Sequence, residues 1–569
     1  GSSATYPTPG LDDVFIIQTG HTITVNTGDV TANGITVDGT LNLSSTTSEI
    51  NLNNPGAGAE FLLNGIFIDN ASTGNGINFL AGATWEMGSD GTLVKSNTSS
   101  SNVYQDNYEG GISLIPATAN WILRYVTTGA NPNISSINAF YPNLIVESNN
   151  GNWNPTATSS RFQGSNGTAT IKGDLDVGGT GSGTVTLYTQ NTNASPITVE
   201  GNMTIRSGST FTNNGGSAGT GVRVAANVTV DGTLGFSAGT GTGNAILEVN
   251  GAASQDISGI GTINLRNFVV NKSGTAFLNR DLTVTNQMTL TNGYVQLGNN
   301  DLTVNTTISG GAASTFVITD DIGTLIQPVG GIAKNYPVGN STYNPISLTN
   351  TGTSDQFSVR VADEVLEDGT SGPAFTESVV NRTWIVEEAL NGGSNLAMTV
   401  QWNAFDELNN FDRDACYVSH YTGGGWDASA PGAAGGFDPY TRLRTGITNL
   451  SPFSVGSGGI LPIELAYLKA IAQQRAVLLF WETKTERDNA YFAIERSING
   501  QAFSEIGRVM GAGDSFEPKN YTFSDQQPFP GLNYYRLRQV DFDGAISYSP
   551  VVADRKSTRL NSSHTDISR

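Results

Sequence analysis

The motif ITVDGTLNL at residues 35–43 recurs along the first half of the chain, and its repetition decides the fold. Related copies are ITVEGNMTI at residues 197–205, VTVDGTLGF at residues 228–236 and LTVTNQMTL at residues 282–290. In each copy, apolar residues alternate with Thr, Asn or Asp on both sides of a two-residue turn. This alternation has the period of a half-buried β-strand. The spacing between copies is irregular, so insertions must leave the repeating unit as loops.

Short strands with Gly or Asn at their corners continue to about residue 325, with almost no helical periodicity. This pattern predicts a parallel β-solenoid, in which each coil buries its inward face against its neighbours. Thr and Val favour strands, while Gly and Asn tolerate the positive φ of tight corners. The DG and EG turns are also typical of hairpins, so antiparallel sandwich pairs are the alternative. We predict a β-solenoid repeat region over residues 1–325.

Composition and charge exclude several classes of partner. The chain has 569 residues, with 28 Lys and Arg against 49 Asp and Glu and a formal net charge of −21. Nucleic-acid binding needs clustered cations that displace counterions from phosphates, and no such cluster occurs. No run of about 18 apolar residues is present, which predicts no membrane insertion. The single Cys416 cannot form an intrachain disulfide, and we predict a small buried apolar side chain rather than a catalytic thiol.

The texture of the sequence changes near residue 336, where strands become longer and tryptophans appear. Apolar and polar residues alternate between turns, which predicts a β-sandwich domain over residues 326–458. Trp384 and Trp402 are in phase with the apolar residues of their strands and are expected in the core. Trp426 follows the loop sequence TGGG. With Tyr421 it is the predicted ligand-binding pair, because aromatic faces stack on sugar rings; core packing is the alternative for Trp426.

A Gly-rich stretch followed by Pro462 marks a domain boundary, and regular strands with hairpin turns follow it. Residues 459–553 resemble the fibronectin type III-like module that precedes the C-terminal sorting domain in proteins exported by the Bacteroidetes type IX secretion system. The residues that carry the resemblance are Leu461, Pro462, Trp481, Phe492, Glu495, Arg496, Ser497, Gly511, Asn533, Tyr534, Tyr535, Arg536, Gln539, Asp541, Asp543 and Gly544.

This resemblance implies a third all-β domain, a fibronectin type III-like sandwich, and export to the extracellular space or the outer cell surface. It also implies that the type IX machinery is a partner through a C-terminal domain that is missing here. The repeats of residues 1–325 are similar in style to large secreted surface proteins of the Bacteroidetes, which are often described as adhesins. A surface protein that binds glycans is therefore the expectation.

The last residues, 554–569, are basic and lack any apolar pattern. The stretch DRKSTRLNSSH at residues 554–564 is what a widely used sequencing adapter encodes, codon for codon. We therefore predict that this tail is artefactual and disordered. Amplification of the gene's 3′ end from the source DNA tests the prediction, and a native sequence that continues through these codons would contradict it.

Candidate catalytic groups are sparse. His21 and His420 are far apart in the chain, and neither HExxH nor CxxC occurs. We expect a structural role for His21 and an exposed or hydrogen-bonded His420. Neighbouring residues of a strand point to opposite faces, so adjacent carboxylates do not form ready acid/base pairs; these are Asp12-Asp13, Asp320-Asp321 and Glu387-Glu388. We assign no catalytic residue, no metal ligand and no cofactor, and Ca²⁺ has no supporting motif.

We predict a secreted or cell-surface protein with a structural or adhesive function, binding an extracellular polysaccharide or a surface through rows of Thr, Asn and Asp. Weak contacts repeated along a solenoid add through avidity. The first alternative is a polysaccharide lyase or glycoside hydrolase on the same scaffold. The second is a non-catalytic carbohydrate-binding accessory protein that uses Trp426 and Tyr421.

Overall fold

The computed structural model describes residues 14–554 except for several short stretches. It does not describe residues 45–48, 54–59, 71–75, 80–84, 98–116, 126–133, 136–139, 150–151, 154–161, 164–168, 190–196, 214–220, 237–244, 424, 458–464, 474, 485, 516–517, 543 and 545. Asp12-Asp13 and residues 555–569 of the predicted tail therefore lie outside the described residues.

The described part of the chain contains strands, turns and two 3-10 helices, Ala404–Asp406 and Arg413–Ala415, and no α-helix. The all-β prediction is confirmed. No helix in this part is long and apolar enough to cross a membrane. The chain divides into two compact units. These are Gly1–Ala362 with Glu387–Leu396, and Asp363–Val386 with Ala397–Arg569.

The first unit is a parallel β-solenoid over residues 14–339, as predicted. Its strands form three stacks, which we call faces 1, 2 and 3 in the order in which each coil visits them. Face 2 is continuous. It consists of Thr22–Val25, Thr40–Leu43, Ile66–Asp69, Thr92–Asn97, Asn120–Tyr125, Asn143–Ser148, Leu175–Gly178, Met203–Ile205, Val228–Val230, Gln255–Ser258, the ends of Thr262–Leu278 and Leu282–Gln296, Val317–Ile318 and Val338–Gly339.

Face 1 precedes face 2 in each coil. It consists of Val14–Ile17, Gly34–Val37, Phe61–Leu63 and Trp85–Met87, then Phe140–Tyr141, Thr170–Ile171, Ile197–Val199, Gly221–Val224, Ile246–Gly251, the middles of Thr262–Leu278 and Leu282–Gln296, and Thr307–Gly310. The long strands Thr262–Leu278 and Leu282–Gln296 continue around the corners of the coil, and shifts in their pairing register mark those corners.

Face 3 closes each coil. It consists of Val30–Ala32, Ile50–Leu52 and Ile77–Phe79, then Asn152–Trp153, Thr184–Tyr188, Thr210–Thr212, Thr233–Phe236, the beginnings of Thr262–Leu278 and Leu282–Gln296, Leu302–Val304 and Leu325–Val329. Ile134–Ser135 and Phe162–Gln163 form a separate parallel pair.

Inward columns of apolar side chains explain why the repeat folds in this way. Leu144, Leu175, Met203 and Val228 of face 2 are direct cross-strand neighbours, and each is completely buried. They hold equivalent positions in successive coils, so stacking removes them from water while the intervening polar residues face outward. The parallel ladder continues to Gly339, beyond residue 325, where the solenoid was predicted to end.

Antiparallel pairing replaces the parallel ladder after the last coil. Leu325–Val329 pairs with residues 355–359 of the strand Asp355–Asp363, and Lys334–Tyr336 pairs with Ile346–Asn350. Tyr336 is buried, and its hydroxyl donates to the carbonyls of Gln327 and Phe357.

The second unit begins with antiparallel strands. Its strands up to residue 457 are Val379–Glu388, Leu396–Trp402, Cys416–His420, Gly435–Gly436, Tyr440–Ile447 and Pro452–Ser457, with Pro452–Ser457 paired to both Val379–Glu388 and Cys416–His420. Trp384 and Trp402 are completely buried, which confirms their predicted core role. The Trp402 indole also donates to the Glu407 carboxylate at 2.8 Å.

The last part of the second unit is a two-sheet sandwich, consistent with the predicted fibronectin type III-like fold. One sheet has the order Leu465–Ala472, Val477–Thr483, Lys519–Asp525; the other has the order Ser504–Ser515, Glu486–Ser497, Tyr534–Asp541, Ile546–Tyr548, with Val552–Ala553 also paired to Tyr534–Asp541. Side chains of both sheets form one core around Trp481, Phe492 and Tyr535. Asp554, the first residue of the predicted tail, is buried and bonds to Asn533 through backbone and side chain.

Candidate functional site

The predicted ligand-binding pair, Trp426 and Tyr421, is brought together by the fold. The two rings meet edge to face with centroids 5.7 Å apart. Trp426 is only 5% exposed, packs on Val365 and Val379, and donates its indole N–H to the Leu366 carbonyl at 2.8 Å. Because the ring face is covered, a sugar cannot stack on Trp426 in this conformation, and the geometry favours the core alternative.

The structure corrects the first half of the expectation for His420, because the residue is not exposed. Its ring is buried and stacks on Phe453 with centroids 4.5 Å apart, and Nε2 has no hydrogen-bond partner among the described residues. Burial lowers the pKa of His420, and the nearby Arg444 guanidinium acts in the same direction, against the Asp427 carboxylate. The alternation of polar and apolar residues could not reveal the burial of His420, because both sides of the strand Cys416–His420 are buried.

We expect acid to weaken the second unit through His420. Since its folded-state pKa lies below that of an unfolded chain, the unfolded state binds the proton first. Stability from this group is complete above the unfolded pKa of about 6.5 and falls as the pH drops below it. Denaturant unfolding at about pH 7 and pH 5 should show a smaller pH dependence in His420→Phe than in the wild type. An equal change in the free energy of unfolding between the two pH values in both proteins would contradict this assignment to His420.

The other candidate groups named from the sequence are Cys416, His21 and Asp320. Cys416 is buried, as predicted, and burial raises the pKa of its thiol to about 11, which disfavours the thiolate form. His21 is exposed directly before the strand Thr22–Val25. Asp320 accepts hydrogen bonds from Gln296 and the Gly298 N–H. No group of three or more His, Cys, Asp or Glu side chains suited to a metal occurs among the described residues.

A ladder of Asn and Asp side chains fixes the register along the corner before face 2. Its members are Asn120, Asn143, Asp174, Asn202, Asn227 and Asp256. The side-chain oxygen of each residue from Asn143 to Asn227 accepts the backbone N–H of the next, at 2.7 to 3.1 Å. These bonds satisfy corner amides that the strand ladder leaves free. The polar rows of the sequence therefore serve the scaffold here rather than a ligand.

A different row remains available on face 3. Thr186, Thr210, Thr233 and Thr262 are direct cross-strand neighbours, and we call them the threonine column. They alternate with the buried side chains of Leu187, Phe211 and Leu234, so their hydroxyls point outward. With strands about 4.8 Å apart, the column is about 14 Å long.

A second outward row lies beside the threonine column in the same strands. It contains Tyr188, Thr212, Gly235 and Asn264 in register. Hydroxyl and amide groups supply both donors and acceptors, and Tyr188 adds an aromatic ring. Sequence reasoning predicted polar rows without naming these residues. The signal was the repeated Thr-x-Thr of residues 184–186 and 210–212.

The threonine column differs from the outward rows of the other faces. On face 1, Thr198 is followed by Arg223 and Glu248, which form an ion pair at 2.6 Å. On face 2, Asp176 forms an ion pair with Arg206 at 2.7 Å, and Thr204, Thr229 and Ser258 follow Asp176 in the row. Ion pairs on faces 1 and 2 already satisfy part of those surfaces. The four threonines of face 3 outnumber the three neighbouring hydroxyls of this face 2 row.

Comparisons with known proteins give little guidance. No protein-family model matches the chain, and no curated protein matches it. Among solved structures, it is similar to a β-1,2-glucanase from Parabacteroides distasonis at 13% identity, over 40% of this chain and 34% of that chain, with a TM-score of 0.12. The chain thus spans about a third of that structure. A similarity this low carries no argument about activity.

Proposed function

We propose that the protein is an extracellular or cell-surface binding protein that holds an extended glycan against face 3. The threonine column is the observation that supports this proposal. A row of hydroxyls at a regular spacing, with Tyr188 and Asn264 beside it, suits a polymer that repeats its own hydroxyls. Each contact is weak, and their sum along the polymer supplies the affinity.

Surface display and export by type IX secretion belong to the same proposal. They rest on the resemblance of residues 459–553 to the module of exported Bacteroidetes proteins. The solenoid is suited to display, because its faces are built on a continuous inward core. An enzyme on this scaffold is the alternative, and the experiment below separates it from binding.

The test exposes the protein to a panel of soluble and insoluble polysaccharides, with and without Ca²⁺. It records both pull-down and new reducing or unsaturated ends. Binding without new ends is the expected result. New ends would contradict the proposal and make the enzyme alternative correct. Absence of binding to every polysaccharide would also contradict it.

Substitutions in the threonine column locate the binding face. Thr210→Val with Thr233→Val keeps the side-chain shape and removes two hydroxyls. We expect dissociation constants for the bound polysaccharide to rise about thirtyfold, since two hydrogen bonds of about 1 kcal/mol each are lost. Thr204→Val with Thr229→Val on face 2 is the matched control, because it removes two outward hydroxyls from the same two coils. Equal losses in both variants would contradict the assignment to face 3.

A further inference from the structure

Two oppositely charged side chains lie inside the solenoid, in a column that is otherwise apolar. Asp69 and Lys95 are direct cross-strand neighbours on face 2, and Leu43 precedes them in the same column. Their side chains are 0% and 1% exposed, and Lys95 Nζ lies 2.6 Å from Asp69 Oδ2. Phe67 and Leu93 of the adjacent inward column are completely buried.

Apolar packing would have been the ordinary choice at these positions. Burying an ion pair carries a desolvation penalty that its attraction offsets only in part, and apolar replacements are often as stable. The apolar interior of the solenoid favours an uncharged group at this position over two charged side chains. A reaction that removes both charges is therefore favoured by burial.

The atoms are placed for such a reaction. Lys95 Nζ contacts Oδ2 at 2.6 Å, and the carboxylate carbon Cγ is one bond from this oxygen, so the two atoms that must join are held close together. The Gly76 N–H donates to the same Oδ2 at 3.0 Å. This donor would stabilise the negative charge that develops on Oδ2 when Cγ is attacked.

We propose that Lys95 and Asp69 form an intramolecular isopeptide bond. One ammonium proton first passes to the carboxylate, which frees the lone pair of Nζ. Lys95 Nζ then bonds to Asp69 Cγ, and the bond from Cγ to Oδ1 breaks. Two of the three ammonium protons leave with Oδ1 as one water molecule, and Oδ2 remains as the amide oxygen. The ion pair thus becomes a neutral amide and water, with no oxidant, reductant or co-reactant.

Gly76 holds the carboxylate in place by the close approach of its backbone. A Cβ at this position would lie 2.5 Å from Asp69 Oδ1 and 2.5 Å from Leu43 Cδ2. Any larger residue would displace the carboxylate from its position beside Lys95. Only glycine therefore fits at position 76, where the backbone N–H donates to the Asp69 carboxylate.

A covalent bond here would join neighbouring coils of a chain that has no disulfide. Cys416 is the single cysteine of the sequence, so disulfides cannot brace the solenoid. The isopeptide bond would prevent the strands Ile66–Asp69 and Thr92–Asn97 from separating under load. This inference does not depend on the proposed glycan binding.

The full chain is purified, and its intact mass is measured in denaturant. We expect a mass lower than the sequence mass by one water molecule. Lys95 is the first Lys or Arg of the chain and Arg124 is the next. Tryptic digestion of the unfolded protein should therefore leave Lys95 uncleaved, within one peptide of residues 1–124 that contains Asp69 and is one water molecule lighter than its sequence mass. An intact mass equal to the sequence mass, with cleavage after Lys95, would overturn the proposal.

The control is the double variant Lys95→Met with Asp69→Leu. It removes both charges together and leaves apolar packing in their place, so it avoids an unpaired buried charge. We expect its mass to equal its sequence mass. A water deficit that persists in this variant would place the linkage elsewhere and overturn the assignment to Lys95 and Asp69.

Discussion

Replacement of Trp481 by Ala should reduce the free energy of unfolding of the C-terminal sandwich by about 3–5 kcal/mol. Trp481 is completely buried at the centre of the core that both sheets share. Its ring stacks on Tyr521 and meets Phe492 edge to face, each with centroids 5.5 Å apart. Truncation would leave a cavity between the two sheets, because the rigid strands cannot collapse into it.

Hydrogen exchange of the full chain provides the measurement, because it reports this sandwich separately from the solenoid. Amides of Val477–Thr483 and Tyr534–Asp541 should lose protection in Trp481→Ala. Phe542→Ala is the control, since that ring is 69% exposed and its loss should change stability by less than about 0.5 kcal/mol. Unchanged protection in Trp481→Ala would show that the core does not depend on this ring.

Replacement of Gly221 by Ala should destabilise the solenoid by about 3 kcal/mol. Gly221 has φ +83°, and a Cβ there would lie 1.9 Å from the carbonyl oxygen of Ile246 in the next coil. The left-handed conformation costs a non-glycine residue about 1–2 kcal/mol, and overpacking adds about 1–3 kcal/mol. The obstacle is backbone, so no side-chain rotation can relieve it.

Gly298→Ala separates these two causes. Gly298 also has a positive φ, of +54°, but no atom lies within 4 Å of its Cβ position. We expect it to cost about 1 kcal/mol in free energy of unfolding, from backbone strain alone. Chemical unfolding of both variants measures the difference. Equal destabilisation would mean that the contact with Ile246 is relieved by a small backbone shift.

The position of charged and aromatic groups was harder to predict than the strands. The sequence offered Trp426 as a ligand-binding residue because it follows a Gly-rich loop. In the structure, Val365, Val379 and Tyr421 pack around it. Val365 is distant from Trp426 in the chain, so no local pattern could indicate this enclosure. The same holds for His420, whose burial depends on Phe453 of a separate strand.

The burial of Asp69 and Lys95 could not be predicted from the sequence pattern either. Each occupies a position where alternation alone predicts an apolar side chain, and they are 26 residues apart in the chain. A charged residue in a strand pattern is ordinarily read as facing solvent. Only the register between Ile66–Asp69 and Thr92–Asn97 shows that the two charges meet. The route of export and the glycan ligand stay predictions.

The sequence by itself determined the strands and their inward sides. Apolar-Thr-Val repeats impose the two-residue period of a strand, and Val228 and Val230 are buried on either side of Thr229, as this period requires. Tertiary structure alone decided which residues of different coils become neighbours. The loops between repeats vary in length, so alignment of the threonine column depends on how each coil closes. That closure is set by stacking of inward side chains and by the Asn and Asp ladder, which act between coils and leave no fixed spacing in the sequence.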